Sequence, residues 1–420
     1  MNTSTLRTGY MKWLLFLVIT TVFISGCKKD DPLPPEPEPT NYEAYVSHKY
    51  VTTYSADVIR SMYSNLQLSY PDAAPLIEKV KYGVNVYEVT YKTPFQGNQV
   101  EASGLLCIPL SKNGGSFPMI SFQNGTNTAH ADAPTVNISN LLFQYLHATA
   151  SMGYLMVIPD YLGFGVSEQI FHPYLHKKST VASIENLITA VSEMTADSLV
   201  TAKWDKTLYL MGYSQGGWST LCTTYDINKV NSLPFKVKAS VCGAGPYSLS
   251  IVQNFMFEKV TYPMPVYMAY SGLSYHQLGL ITNPLTDYFN EPYASNLSTY
   301  FNGQYNGSEI NQRLNDTVGV LIASSFLNGI NNDPTYEDFR NAMTDNSIAG
   351  WNTDIPIRFY HGTADNYVPP ATSEQVYQEF ENAGAGDKVA YFTLEGLNHS
   401  TGAVPTILGG LLWFNQMEEK

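Results

Sequence analysis

The chain has 420 residues, 44% of them hydrophobic, and a formal net charge of −13. That length accommodates one large domain with an insertion. No run of basic residues offers the electrostatic footprint of a nucleic-acid-binding face, which argues against nucleic acid as a partner.

Residues 1–26 read as an export signal and not as part of the fold. Arg7 and Lys12 form a basic start, and Trp13 to Ile24 is an apolar stretch too short and wrongly flanked for a membrane span. Ile24-Ser25-Gly26-Cys27 closes it. This ending resembles a bacterial lipobox, which implies that Cys27 is acylated and becomes the new N-terminus; the alternative is a lone Cys after a signal peptide. Residues 27–40 are a proline-rich acidic tether, with a composition that cannot build a core. Lys29-Asp30-Asp31 behind Cys27 resembles the export signals of Bacteroidetes surface lipoproteins. The expected location is therefore the outer membrane or cell surface, held by several acyl chains, since one alone anchors marginally.

The folded body is expected over 41–245 and 351–420. Residues 41–80 read as short surface helices, such as Ser55 to Leu66. Strand-like runs follow at Gly83–Lys92, Gln99–Pro109, Phe117–Phe122, Tyr154–Ile158, Thr207–Met211 and Val237–Cys242. Helical stretches separate the later ones, at Asn137–Met152, Thr180–Leu199 and Gly216–Tyr225. Two antiparallel-type strands followed by strand–helix alternation predict an α/β fold: a mostly parallel, doubly wound sheet with helices on both faces.

The richest stretch is Gly212-Tyr213-Ser214-Gln215-Gly216, a G-x-S-x-G sequence between an apolar strand and a helix. That context is a nucleophile elbow: small residues allow the sharp turn, and the helix N-terminus aims amides where an oxyanion forms. An ordinary strand-to-helix turn is the competing reading. After the sixth predicted strand the alternation stops. Residues 246–350 form a long aromatic-rich insertion, placed where a cap would sit, between the sixth and seventh strands. Tyr267, Tyr270 and Tyr275 are its densest cluster. With Tyr213 they are candidate substrate contacts, although aromatic stripes more often pack a cap core.

An elbow serine needs a base, and the base needs an acid that fixes its tautomer. Ile355–Tyr360 is a predicted strand followed by a turn carrying Asp365. Lys388–Leu394 is another, followed by a loop carrying His399. These are the candidates; Asp365 could instead cap the helix starting near Ala371, and Asp354 and Glu395 are weaker rivals. His172 and His176 read as loop-packing or hydrogen-bonding residues. Cys107, Cys222 and Cys242 read as buried small apolar residues, with a Cys222–Cys242 bridge as a minor option.

Together Phe122-Gln123-Asn124-Gly125-Thr126, Pro159–Gly165, His172-Pro173-Tyr174-Leu175, Gly212–Gly217 and the Asp365 and His399 segments resemble the α/β-hydrolase superfamily. More narrowly, they are similar to the bacterial and fungal secretory lipases and esterases. The resemblance implies a Ser214–His399–Asp365 triad, an oxyanion hole from the Gln215 and Thr126 amides, and carboxylic ester hydrolysis without a metal or organic cofactor. Asn124 stands where many relatives carry His. The resemblance also implies that Asp160 braces a loop at the mouth of the site. The expected partner is a small-molecule, glycan or lipid ester. A small serine aminopeptidase of the same fold and a surface glycan-binding lipoprotein without turnover are the alternatives. The aminopeptidase would need acidic residues over the serine to hold an ammonium group.

Overall fold

The computed structural model describes residues 41–112, 114–230 and 233–419. The signal segment, Cys27 and the tether to residue 40 lie outside them. The described chain is built on a nine-stranded sheet ordered β1-β2-β3-β5-β4-β6-β7-β8-β9. The strands are β1 (Tyr45–Tyr54), β2 (Gly83–Phe95), β3 (Asn98–Leu110), β4 (Gly115–Gln123), β5 (Leu155–Pro159), β6 (Ala202–Tyr213), β7 (Lys236–Gly243), β8 (Ile357–Gly362) and β9 (Val389–Leu394). The first three pair antiparallel, as does β3 with β5; from β5 to β9 all neighbours are parallel. β2 and β3 form a hairpin through Gln96 and Gly97, both at positive φ (48° and 80°). This is the turn geometry that matches strand twist.

Two expectations need correction. Residues 45–54 form an edge strand, not surface helix; the helix follows at Ala56–Ser69, capped by Ser55. The insertion therefore lies between the seventh and eighth strands. It occupies the connection from β7 to β8 and is helical, its longest pieces being Leu249–Phe257, Pro265–Gln277 and Glu337–Asn346.

Alternation along β6 divides the core. Leu208 and Leu210 face one side with the helices Lys177–Ala196 and Gln215–Tyr225 and the insertion. Tyr209 and Met211 face the other, with Ala56–Ser69, Leu141–Thr149 and the C-terminal helix His399–Glu418. Helices thus cover both faces, as a parallel sheet requires. The strand order reverses around β4. The β4–β5 connection runs one way and the β5–β6 connection returns past it, leaving a crevice at the C-terminal ends of β4 and β6. Such switch points are where open α/β sheets place their sites.

Candidate active site

Ser214 sits at the β6 end of that crevice, at φ 61° and ψ −126°. This is a strained conformation for a residue with a Cβ, and it persists only because its surroundings over-determine it. The Ser214 amide donates to Gly243 O (2.9 Å), and the Trp218 amide donates to Ser214 O (3.2 Å). Close backbone approach explains the glycine two residues on: a Cβ at Gly216 would lie 1.9 Å from Gln123 O.

The structure brings the three predicted residues together. Ser214 Oγ lies 2.9 Å from His399 Nε2, and His399 Nδ1 lies 2.6 Å from Asp365 Oδ2. With a carboxylate at Nδ1, the ring proton belongs there, so Nε2 is the acceptor for the serine hydroxyl. His399 is not in a loop. It is the first residue of the C-terminal helix, behind Asn398, whose side chain makes a capping box with Thr401. Its ring packs against those of Tyr213 and Tyr367, with centroids 5.3 Å away in each case.

Asp365 is held from every side. The Tyr367 and Val368 amides donate to Oδ1, both at 2.9 Å. Oδ2 takes His399 and also His361 Nε2, at 3.2 Å. His361 Nε2 faces Val368 O as well, so it carries the proton, and Nδ1 accepts from Ser373 Oγ (2.7 Å). Burial pushes the Asp365 pKa up, but the hydrogen bonds and charges of His361 and His399 outweigh it and hold the carboxyl well below its ordinary range. The rivals are elsewhere: Asp354 is exposed and bonded to Asn228, and Glu395 is exposed. Sequence reasoning gave His361 no role. The available signal was its position at the end of β8, four residues before the acid.

Gln215 opens the helix Gln215–Tyr225, whose first amides have no intrahelical acceptors. Opposite it, the loop after β4 passes the serine so closely that a Cβ at Gly125 would lie 3.8 Å from Ser214 Cβ. Thr126 follows, its hydroxyl 3.1 Å from Tyr174 Oη. His172 has the hydrogen-bonding role expected of it. Its Nδ1–H donates to Leu162 O (2.6 Å), and its Nε2 accepts from the Gln215 carboxamide (3.1 Å). Burial lowers its pKa to about 4, so the ring is neutral. His176 bonds Ser179 Oγ (2.8 Å). Asp160 is fully buried and bonded by Ser103 and by the Thr135 hydroxyl and amide. Burial raises its pKa to about 6 against the lowering effect of those bonds. It joins β3 to two loops and does not touch Ser214 or His399.

A pocket opens from Ser214 and Gln215 into the insertion. Leu249, Val252, Met256, Phe257, Phe326 and Met343 are among its walls, and no charged side chain lines it. Tyr267 and Tyr275 line it too. Tyr213 and Tyr270 are not among its walls. The Tyr213 hydroxyl donates to His399 O (2.7 Å) from behind the ring, and Tyr270 is stacked between Tyr174 and Phe301. Cys107, Cys222 and Cys242 are buried and unbridged. No group of three or more His, Cys, Asp or Glu among the described residues could hold a metal ion. No described helix is long and apolar enough to cross a membrane.

The fold is the α/β-hydrolase fold. Among solved structures the chain is similar to a candidate hydrolase from Legionella pneumophila, with 25% identity, TM-score 0.79, and 90% of this chain and 99% of that one covered. It is also similar to the rice cell wall degrading esterase LipA from Xanthomonas oryzae (22% identity, TM-score 0.75, 90% and 97% covered). A more distant likeness is to Candida antarctica lipase A in its closed state (16% identity, TM-score 0.62, 89% and 81% covered). No family model matches the sequence, and no curated protein does.

Proposed function

We propose that the chain is a serine carboxylic ester hydrolase working through an acyl-enzyme. The observation that carries this is the unbroken hydrogen-bond chain from Ser214 through His399 to Asp365, on a serine held at positive φ. Ser214 Oγ attacks the ester carbonyl while His399 Nε2 takes its proton. His399 then gives that proton to the leaving alkoxide, and the same base activates water to release the acid. Asp365 orients the ring and stabilises the imidazolium. The Gln215 and Thr126 amides hold the oxyanion; losing one such donor typically costs about 2.7–4 kcal/mol.

The insertion caps the serine, and its apolar cavity takes the acyl chain. Residues 246–350 thus govern which ester is chosen, while the chemistry belongs to loops at the strand ends. The cavity walls carry no carboxylate to hold a substrate ammonium, which favours ester over aminoacyl substrates. The neighbours named an esterase and a lipase agree with this reading. Labelling with a fluorophosphonate, with parallel assays on p-nitrophenyl esters and aminoacyl p-nitroanilides, tests it. Turnover of the anilides alone, or no labelling, refutes it.

We also propose that Cys27 is acylated and tethers the enzyme to the outer membrane or cell surface, on the strength of Ile24-Ser25-Gly26-Cys27 and the tether behind it. Cys27→Ser in a native-type host should release the protein or leave its precursor unprocessed. Unchanged membrane fractionation, with no fatty acid on the wild type, rules the anchor out.

A further inference from the structure

The loop after β4 is fastened to the insertion at two separate places. Nearest the serine, the Thr126 hydroxyl meets the Tyr174 hydroxyl at 3.1 Å. The Tyr174 ring lies flat on Tyr270 of the insertion helix Pro265–Gln277, with centroids 4.5 Å apart and planes 9° apart. Ser274, on the same helix, donates to Tyr174 O (3.1 Å). Tyr270 stacks in turn on Phe301 (4.7 Å, 21°). Two residues beyond Phe301 the chain returns to the loop. The His130 amide donates to Gly303 O (2.8 Å), and Thr128 Oγ1 donates to Tyr305 O (2.9 Å). Gly303 stands at φ 81° with its α-carbon pressed on the His130 ring, so that a Cβ there would lie 2.1 Å from His130 Nε2.

These contacts close a circuit: Thr126, Tyr174, Tyr270, Phe301, Gly303, His130, Thr128 and back along the loop to Thr126. We propose that through this circuit the insertion sets the position of the loop that supplies the second oxyanion donor, with Tyr174 and Tyr270 as positioning residues. The inference rests on the serine hydrolase reading above. It separates two roles within the insertion. One wall of it lines the acyl cavity, and Tyr270 is not part of that wall. Tyr174 borders the cavity as well as the loop, whereas Tyr270 is stacked between Tyr174 and Phe301, so loss of the Tyr270 ring acts on the transition state and leaves ground-state binding alone.

A misplacement of an oriented group by about 1 Å costs on the order of 100-fold in rate. Tyr270→Ala is therefore expected to lower kcat by about 10- to 100-fold, with KM for a p-nitrophenyl ester changed less than about twofold. Tyr270→Phe, which keeps the stacked ring, should restore kcat. Affinity for an alkyl trifluoromethyl ketone, which becomes an oxyanion on Ser214, should fall in step with kcat/KM, while affinity for the matching unreactive methyl ketone holds. If Tyr270→Ala does not fold, the Tyr174→Phe/Thr128→Val pair removes one hydrogen bond at each fastening with little change of volume, leaving the His130–Gly303 backbone bond, and should show the same split in smaller measure. Raised KM with unchanged kcat would make Tyr270 a substrate contact and overturn the proposal. So would unchanged kinetics, equal losses in Tyr270→Ala and Tyr270→Phe, or parallel loss of both ketones. Full activity of Ser214→Ala would instead remove the reading beneath it.

Discussion

Replacing His361 by Leu isolates the support beneath the acid from the acid itself. The substitution roughly keeps volume in a fully buried site, so the main loss is hydrogen bonds. A bond to a charged group contributes about 1.5–3 kcal/mol, and a buried hydroxyl left unpaired at Ser373 costs about 1–3 kcal/mol. The variant should therefore unfold about 3–5 kcal/mol more easily at pH 7. Activity should suffer far less. Asp365 keeps His399 and the Tyr367 and Val368 amides, so it stays ionised at pH 7 and still orients the base. A fall in kcat/KM below about 10-fold is expected, against about 10⁴ in kcat when a triad Asp becomes Asn. The pH dependence has a definite sign. The Asp365 carboxyl lies below its ordinary 3.8 in the folded protein, so its ionisation stabilises the fold above that pH and stops doing so as pH falls through the folded value. Without His361 the folded value rises toward 3.8, so the stability gap between wild type and variant should narrow below about pH 4. Urea unfolding at pH 7 and pH 3, beside steady-state ester hydrolysis, measures both. A gap that widens in acid, or a kinetic loss as large as that of Asp365→Asn, would refute the argument.

Ser214→Ala should abolish ester hydrolysis with the fold intact, His399→Ala should be nearly as damaging, and Asp365→Asn less so. Because such residues act as a unit, the Ser214→Ala/His399→Ala pair should lose little beyond either single change; a product of the two losses would contradict the assignment. Acid should weaken the fold before any carboxylate of ordinary pKa is protonated. His147 and His172 are pushed from 6.5 to about 4 by burial, so stability falls as pH drops from 6.5 to 4, by about 3 kcal/mol for each. Asp160, raised to about 6, works the other way and offsets about 3 kcal/mol of that. Both His147 nitrogens lack partners, so His147→Leu should flatten the profile in urea titrations between pH 7 and pH 4.5; an unchanged slope would reject the assignment. In the cavity, Met256→Trp should cut kcat/KM for octanoyl esters well before acetyl esters, whereas a uniform fall would mean the side chain merely packs the insertion.

What the sequence disclosed and what it hid follow from range. The alternation of Thr207–Met211 and the small residues around Ser214 are local, and they suffice for the elbow. β1 escaped because an edge strand with no buried residue carries no clean alternation, and it follows closely on the tether. His399 was expected in a loop; the helix that begins there rests on the Asn398–Thr401 capping box, and Gly402 and Pro405 in its first turns disfavour helix locally. The packing of the Pro405 turn into a long helix is decided by burial of Leu408, Leu411 and Phe414. His361, and the two tasks divided among Tyr267, Tyr270 and Tyr275, depend on which way a side chain turns once distant segments meet. No spacing in the chain encodes that.

The C-terminal helix has a consequence for handling the protein. Its first residue is the base, and its far end is tied to the sheet by Glu418, which meets Lys238 at 2.6 Å and the Tyr209 hydroxyl. Between them, Gly410 lies so close to the strands that a Cβ there would sit 2.8 Å from Met211 Sδ and 3.2 Å from Val241. The separation of Ser214 from His399 is thus fixed by how a whole helix seats on β6 and β7. Trimming the last few residues, or fusing a bulky tag to them, loosens that seat at its outer end. Such a change would register as slower proton transfer before any loss of solubility or secondary structure became visible.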